Sequence, residues 1–319
     1  MKNLAFTLLV FLFISGCTSN SSSRKVGFLA TSFEVERFRK EADFFKAQME
    51  AYGYEVLLED CEENHALQYE RAKEMLEKEL DILVVIPVNI NTAHNIVDLA
   101  NSEGVPVVAY NRMIMNADIE MLIYSDNNFI GNSMASCLLD SVKTGKIALL
   151  AGDKMDPNAV EQKNAIDETI RKHKQNNELE IVYDTYIEDW NADIAAFELE
   201  QVLQVYPLDG VIAGNDAMAN AIIELITKRN PEFKVFVVGQ DGDKTALENI
   251  AKGLQVATVY HPYDKLAGKA AEIVIDFLEN KNTEKNISGK VFNGLKEVPV
   301  VRIKSEVITQ KNVGSYMKN

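Results

Sequence analysis

Arginine, aspartate, asparagine and a single tryptophan recur in this chain just after short apolar runs. Thr31, Ser32, Phe33, Glu34, Arg37 and Phe38 follow Val26–Ala30; Pro87 and Asn89 follow Ile82–Ile86; Asn111 and Arg112 follow Val105–Ala109. Further on, Asp153, Asp156 and Asn158 follow Ile147–Ala151, and Asp189 and Trp190 follow Ile181–Ile187. Asn215 and Asp216 follow Val211–Ala213, Gln240 and Asp241 follow Val235–Gly239, and His261 follows Val256–Tyr260. The planar Arg, Asp and Asn groups offer paired donors or acceptors at about the spacing of two vicinal hydroxyls. A polyhydroxylated ring needs such groups, because a buried hydroxyl without a partner costs about 1–3 kcal/mol. Its C–H faces suit a flat aromatic surface, and Trp190 is the one Trp in the chain. Each residue alone has a plainer role as a helix cap or surface polar group; Asn215 and Asp216, for instance, stand where the next helix would be capped. The joint pattern in two halves of the chain is what points to a ligand.

Those residues need a scaffold that brings strand ends together. Val26–Ala30 reads as a strand, and Phe38, Ala42, Phe45, Met49 and Tyr52 then recur at helical spacing up to Gly53. Tyr54–Leu58 is the next strand-like run, Ala72, Met75, Leu76 and Leu80 mark a second amphipathic helix, and Ile82–Ile86 is apolar at every position, as a parallel strand buried on both faces should be. A helix over Thr92–Ser102, then Val105–Ala109 and Met121–Tyr124, close the first series. The alternation restarts with strands at Ile147–Ala151, Ile181–Ile187, Val211–Ala213, Val235–Gly239 and Val256–Tyr260, with helices near 158–174, 192–205, 216–229 and 244–252. A final helix over Tyr263–Glu279 and a strand-rich tail over Val291–Ile308 follow. The expected fold class is α/β: two doubly wound, Rossmann-like lobes with right-handed crossover helices. Ligands of such sheets bind outside the carboxyl ends of the strands, where the polar set stands.

The chain has 319 residues, 47% of them hydrophobic and 25% charged, which suits two globular domains. With 33 Lys and Arg against 48 Asp and Glu the formal net charge is −15, which argues against a nucleic-acid partner. Met1–Asn3 is a short positive start, and Leu4–Ile14 is an apolar run too short to span a bilayer but of signal-peptide length. Ile14-Ser15-Gly16-Cys17 resembles a bacterial lipobox, so residues 1–16 are expected to be removed and Cys17 lipidated; an ordinary cleavage site beside a Cys is the alternative. Thr18–Ser23 reads as a flexible tether, giving a span of 17–25 before the folded body. Of three Cys, Cys61 and Cys137 remain and fall in different lobes, so two free thiols are expected.

Other chemistries lack their residues. Neither G-x-x-x-x-G-K nor G-x-G-x-x-G occurs, which leaves a nucleotide without a seat. His65, His94, His173 and His261 are isolated, so no zinc-ligand spacing arises. Asp241-Gly242-Asp243 begins like a calcium loop, but the later ligands are missing. No catalytic residue, cofactor or metal is expected. A transcriptional regulator would need a helix-turn-helix where the signal and tether stand.

At these residues the chain resembles the type I periplasmic sugar-binding proteins, and within them the xylose-binding branch. The matching segments are Glu36-Arg37-Phe38, Ile86-Pro87-Val88-Asn89, Ala109-Tyr110-Asn111-Arg112-Met113-Ile114 with Ala117-Asp118-Ile119, Tyr124-Ser125-Asp126-Asn127, Gly214-Asn215-Asp216-Ala217, Gly239-Gln240-Asp241 and Thr258-Val259-Tyr260. The similarity runs from about Lys25 into the C-terminal tail. It implies that Arg37 and Arg112 donate to sugar oxygens from one lobe, that Asn158, Asn215 and Asp241 bind hydroxyls from the other, and that Phe38 and Trp190 sandwich the ring. Two positions depart from the branch: Asn111 stands where Asp is expected, and His261 where Lys is expected. One negative and one positive group are lost together, which keeps the pocket's charge balance and leaves xylose, a related pentose or a hexose open; two Arg could also pair with a sugar acid. With Asp156 and Asp216 from the strand ends, the candidate set is Arg37, Phe38, Asn111, Arg112, Asp156, Asn158, Trp190, Asn215, Asp216, Asp241 and His261.

The resemblance further implies three crossings between lobes, near Ser125–Asn128, His261–Tyr263 and Gly294–Val298. The lobes would then be 26–125 with 263–293, and 126–262 with 294–319. It implies an extracytoplasmic protein that closes around a monosaccharide; with the anchor read from Cys17 and a fold that needs no partner chain, a lipid-anchored monomer is expected. The closed form would meet either an ABC sugar permease or a membrane histidine kinase.

Overall fold

The computed structural model describes residues 24–317 apart from 35, 177, 231 and 233. The expected cleavage site and the lipidation at Cys17 lie outside them.

The first half of the chain runs β1 (Lys25–Ala30), α1 (Glu36–Ala51), β2 (Glu55–Asp60), α2 (His65–Leu76), β3 (Ile82–Val85), α3 (His94–Ser102), β4 (Val107–Tyr110) and β5 (Met121–Ser125). The second runs α4 (Asn127–Ser141), β6 (Gly145–Ala151), α5 (Pro157–Gln175), β7 (Leu179–Tyr186), α6 (Ala192–Val205), β8 (Gly210–Ala213), α7 (Asp216–Arg229), β9 (Phe236–Asp241), α8 (Lys244–Lys252) and β10 (Ala257–Tyr260). Then come α9 (Tyr263–Leu278), β11 (Gly289–Phe292), β12 (Glu297–Ile303) and β13 (Glu306–Thr309). The sheets have the orders β11-β12-β5-β4-β3-β1-β2 and β13-β10-β9-β8-β6-β7. Strands β1–β5 are mutually parallel, as are β6–β10; β11 and β13 are antiparallel additions at the sheet margins. The molecule is thus two doubly wound α/β lobes.

Apolar layers on both faces of each sheet hold the lobes. Central strand β3 is buried at all four residues, which is why its sequence shows no alternation. On one face of the first sheet, Phe38, Ala42, Phe45 and Met49 of α1 pack with Leu266, Ala270 and Val274 of α9. Burying a side chain of this size contributes about 1.5–3 kcal/mol, so this pairing binds α9 to the first lobe although it follows β10 of the second. The chain passes between the sheets at 126, 261–262 and 304–305.

The third crossing corrects the expected one at Gly294–Val298. β12 lies parallel to β5, pairing Val300 with Leu122 and Ile303 with Ser125, so Glu297–Ile303 belongs to the first sheet. Val298 and Val300 are fully buried there. Both sheets end in an apolar margin, and hydropathy alone does not say which one a tail strand joins. Helix α4 was not expected. It buries Gly131 and Asn127 alongside Ile130, Met134 and Leu138, so no clean apolar stripe marks it.

Gly131 shows how closely α4 and α5 approach: a Cβ there would overlap the Gln162 carbonyl oxygen and stand 2.9 Å from Ala165 Cβ. Alanine is the better helix former by about 1 kcal/mol, yet Gly131→Ala is expected to destabilise the protein by about 1–3 kcal/mol through overpacking. Urea unfolding of the two proteins checks this; an unchanged or higher midpoint refutes it.

Candidate functional site

Arg37 sits in the first turn of α1, at the carboxyl end of β1. Its Nε donates to Glu41 Oε1 at 2.8 Å, one turn on, and its Nη2 donates to Asn111 Oδ1 at 3.1 Å. The third arm reaches the other lobe, with Nη1 3.8 Å from Asp241 Oδ1. Burial opposes the guanidinium charge, but the Glu41 and Asp241 carboxylates outweigh it and hold Arg37 above its usual range. Two further links cross the gap. Arg112 Nε lies 3.5 Å from Asp156 Oδ2, and Asn158 Nδ2 donates to the Asn111 carbonyl at 3.0 Å. Arg37, Asn111 and Arg112 of the first lobe thus face Asp156, Asn158 and Asp241 of the second.

The carboxyl ends of the strands supply these groups through locally strained turns. Asn111 (φ 63°), Asp189 (φ 53°), Trp190 (φ 55°) and Asp241 (φ 109°) all have left-handed φ without being glycine, a conformation that costs on the order of 1–3 kcal/mol each and persists only where surroundings enforce it. Asp156 caps α5, accepting from the Asn158 N–H at 2.9 Å ahead of Pro157 in the first turn. Asn215 caps α7 through Oδ1, at 2.9 Å from the Met218 N–H, which leaves its amide nitrogen to donate elsewhere. Phe38, expected as one face of a ring sandwich, is instead 7% exposed and packed in the first-lobe core, with the Arg37 guanidinium 5.7 Å from its ring centroid, because it lies on the face of α1 turned to the sheet. Trp190 ends a 3₁₀ turn, Glu188–Trp190, after β7 and is half-buried.

Two candidates have other duties. Asp216 is fully buried: its carboxylate accepts from the Gly242 N–H (2.9 Å), the Asp243 N–H (3.1 Å), the Thr258 hydroxyl (2.7 Å) and Gln255 Nε2 (2.9 Å). It therefore anchors the turn after Asp241 instead of reaching a ligand, because its acceptor sites are taken. His261 is 4% exposed, with Nδ1 2.9 Å from Ser125 Oγ and Nε2 3.2 Å from Gln240 Oε1. Both ring nitrogens bond within the protein and Nε2 also lies 3.5 Å from Asp241 Oδ1, so His261 stands behind Asp241 at the second crossing. Burial, then the Arg37 charge, push it well below the usual histidine range, so the imidazole is neutral.

From His261 a directed hydrogen-bond chain runs through Gln240, Gln162 and Asn127, none of them in the candidate set, to Asn158. Gln240 accepts at Oε1, so His261 Nε2 carries the proton and Nδ1 accepts from Ser125. Gln240 Nε2 donates to Gln162 Oε1 (2.8 Å), Gln162 Nε2 to Asn127 Oδ1 (3.0 Å), and Asn127 Nδ2 to Asn158 Oδ1 (2.9 Å). Asn158 then donates across the cleft to Asn111. Gln240 stands at a strand end, which marks it in the sequence; Glu41, the other partner of Arg37, is marked by its place four positions after it on α1. Gln162 lies within a helix whose buried polar side chain nothing in the periodicity marks.

Burial holds the Asp241 carboxyl well above its ordinary value; Arg37 opposes this, while Asp243, Asp216 and Glu41 add to it. Among the described residues no group of three or more His, Cys, Asp or Glu side chains is placed to hold a metal ion, and no helix is long and apolar enough to cross a membrane. Cys61 is buried and Cys137 half-buried, and both are free thiols.

Residues 26–282 match the family of the periplasmic binding protein domain. The chain is 31% identical over 314 residues to the D-xylose-binding periplasmic protein of Escherichia coli (strain K12), covering 98% of this chain and 94% of that one. It is 30% identical over 319 residues to the D-xylose-binding periplasmic protein of Haemophilus influenzae, with the same coverage. Among solved structures, an ABC transporter solute binding protein from Clostridium phytofermentans with bound β-D-glucose shares the fold. Its TM-score is 0.82 at 19% identity, over 92% of this chain and 96% of that one.

Burial pushes the Asp216 carboxyl up to about 7 from 3.8, against its hydrogen bonds to Thr258 and Gln255. The folded chain thus keeps a proton that the unfolded chain releases between 3.8 and about 7. The stability this contributes is complete below 3.8 and is lost as pH rises through about 7. Asp216→Asn removes the proton site. The unfolding free energy of the native protein minus that of the variant should therefore rise on acidification from pH 8 to pH 5, measured by urea titration. A difference independent of pH refutes the assignment.

Proposed function

The chain belongs to the periplasmic binding protein family, and on that premise we propose that it captures a monosaccharide, xylose or a related pentose or hexose, between its lobes and presents it to an ABC sugar permease. The observation that carries the reading is the three-point meeting of Arg37, Arg112 and Asn111 with Asp241, Asp156 and Asn158. Fixed, planar groups from both lobes approach one another closely enough for one small ring's hydroxyls to bond to both sides. Arg37 and Arg112 donate to sugar oxygens; Asp241 and Asp156 accept from hydroxyls; Asn111, Asn158 and Asn215, whose amide oxygens accept from Arg37, Asn127 and the Met218 N–H, donate through their amide nitrogens. Trp190 offers a face for the ring's C–H groups, with Phe38 as apolar backing beneath Arg37.

Closure is then the act of binding. An open arrangement would leave the Arg37 arm toward Asp241 to water, whereas a sugar between them bonds to both and holds the lobes together. A pentose has about ten non-hydrogen atoms, so at roughly −0.7 to −1 kcal/mol per atom a micromolar or tighter affinity is reachable. The names of the two relatives, each identified by D-xylose, favour a pentose. Cys17 in its lipobox-like setting supports a lipid anchor on the outer side of a bacterial membrane, with Thr18–Ser23 as tether.

A thermal-shift screen against D-xylose, other pentoses, hexoses and uronic acids tests the reading, since a ligand that binds only the folded state raises the midpoint. Arg112→Ala and Trp190→Ala should each weaken binding of the responding sugar at least tenfold by calorimetry while the unfolding midpoint stays close to native. Unchanged affinity in both variants would refute the pocket. Co-purification with a permease supports delivery; sugar-dependent capture of a kinase ectodomain instead would replace the permease as partner.

A further inference from the structure

The indole of Trp190 lies on bare backbone. A Cβ built on Gly152, directly after β6, would stand only 2.3–2.4 Å from ring atoms Cη2, Cε3 and Cζ2, far inside van der Waals contact. Gly152 has no room to retreat. Behind it stands Gly214, at the end of β8, so close that a Cβ there would be 2.7 Å from the Gly152 nitrogen. The Gly214 N–H in turn donates to the Leu150 carbonyl at 2.7 Å, which ties the two strands at this level. Gly152 is not among the residues of positive φ, so the chain path does not call for glycine there; what glycine supplies is space.

The turn that carries the indole is pinned to the same loop. The Ile187 N–H donates to the Ala151 carbonyl at 3.1 Å, and the Asp189 N–H donates to Asp153 Oδ2 at 2.7 Å. Asp189 and Trp190 are consecutive non-glycine residues in the left-handed region, so the backbone is already committed to this placement. With the turn fastened and the strands tied, the ring's height above the second lobe is decided by what lies under it.

We infer that Gly152 is a positioning residue for the proposed site: by presenting no side chain, it sets the depth of the Trp190 indole and thus the width left for a sugar ring. This rests on the reading that the cleft takes a monosaccharide. A ring stacked on the indole must also meet the hydrogen-bonding groups of the first lobe. An indole raised by one methyl group satisfies one of these and not the other.

Trp190 is the one tryptophan in the chain, so its emission reports on this ring with no ligand present. In the purified protein, Gly152→Ala should shift the emission maximum and raise acrylamide quenching as the ring leaves the wall. Calorimetry with D-xylose should show at least tenfold weaker binding. In a Trp190→Ala background, adding Gly152→Ala should change the affinity less than twofold. Should Gly152→Ala fail to fold alone, folding of the double variant Gly152→Ala/Trp190→Ala supports the inference and its failure overturns it. Native emission and quenching in Gly152→Ala, or an equal loss of affinity in the Trp190→Ala background, also overturns it. If the native protein binds none of the sugars screened, the functional reading fails, and the emission experiment alone decides the role of Gly152.

Discussion

A guanidinium cannot shed its proton, so wherever the fold half-buries one it must supply acceptors on every side. Arg37 is that group here. Two of its acceptors, Glu41 and Asn111, come from its own lobe and are set by a helical turn and by the end of β4. The third, Asp241, belongs to the other lobe. The distance between lobes is therefore written into the coordination of one side chain. The contact joins a residue after β1 of one sheet to the last residue of β9 of the other, so the two lobes meet through a pair of opposite charges.

The crossings between the lobes are joined by hydrogen bonds as well. Ser125 ends the strand before the first crossing and His261 opens the second; they touch through a single contact of 2.9 Å. The neutral imidazole accepts from one and donates onward to Gln240, which a cation at that position would not do. Through Gln162 and Asn127 the same directed chain reaches Asn158 in the cleft. Each member is satisfied by the next, so hydrogen-bond polarity strengthens along the row. A buried polar network of this kind is tolerable only when complete, and it leaves Asn158 one orientation from which to face the first lobe. Asp216 does the corresponding work beneath Asp241, holding the turn at Gly242 and Asp243 from below.

Much of the scaffold was legible because its signals are local. Phe38, Ala42, Phe45 and Met49 recur with the helical period, and the unbroken apolar run of β3 follows from burial on both faces. The rule that polar groups collect after parallel strands then located Arg37, Asn111, Arg112, Asp156, Asn158 and Asp241, and these are the residues that meet across the cleft. The same rule also gathered Asp216 and His261, since position after a strand does not say whether a side chain turns toward the cleft or back into the protein. Helix α4 escaped because its one buried face includes Asn127 and Gly131 while Phe129 and Leu139 stand off it, which blurs the apolar stripe that identifies such a helix in the sequence.

The amino-acid order by itself determined two α/β lobes and the strand ends at which polar side chains stand, because periodicity and strand-end position are properties of neighbouring residues. It did not determine which sheet β12 joins, which carboxylates face inward, or that Gly152 lies under Trp190. Those outcomes depend on contacts between segments far apart in the chain. They were decided only when the packed lobes fixed which acceptors, apolar margins and bare backbone came within reach of each side chain.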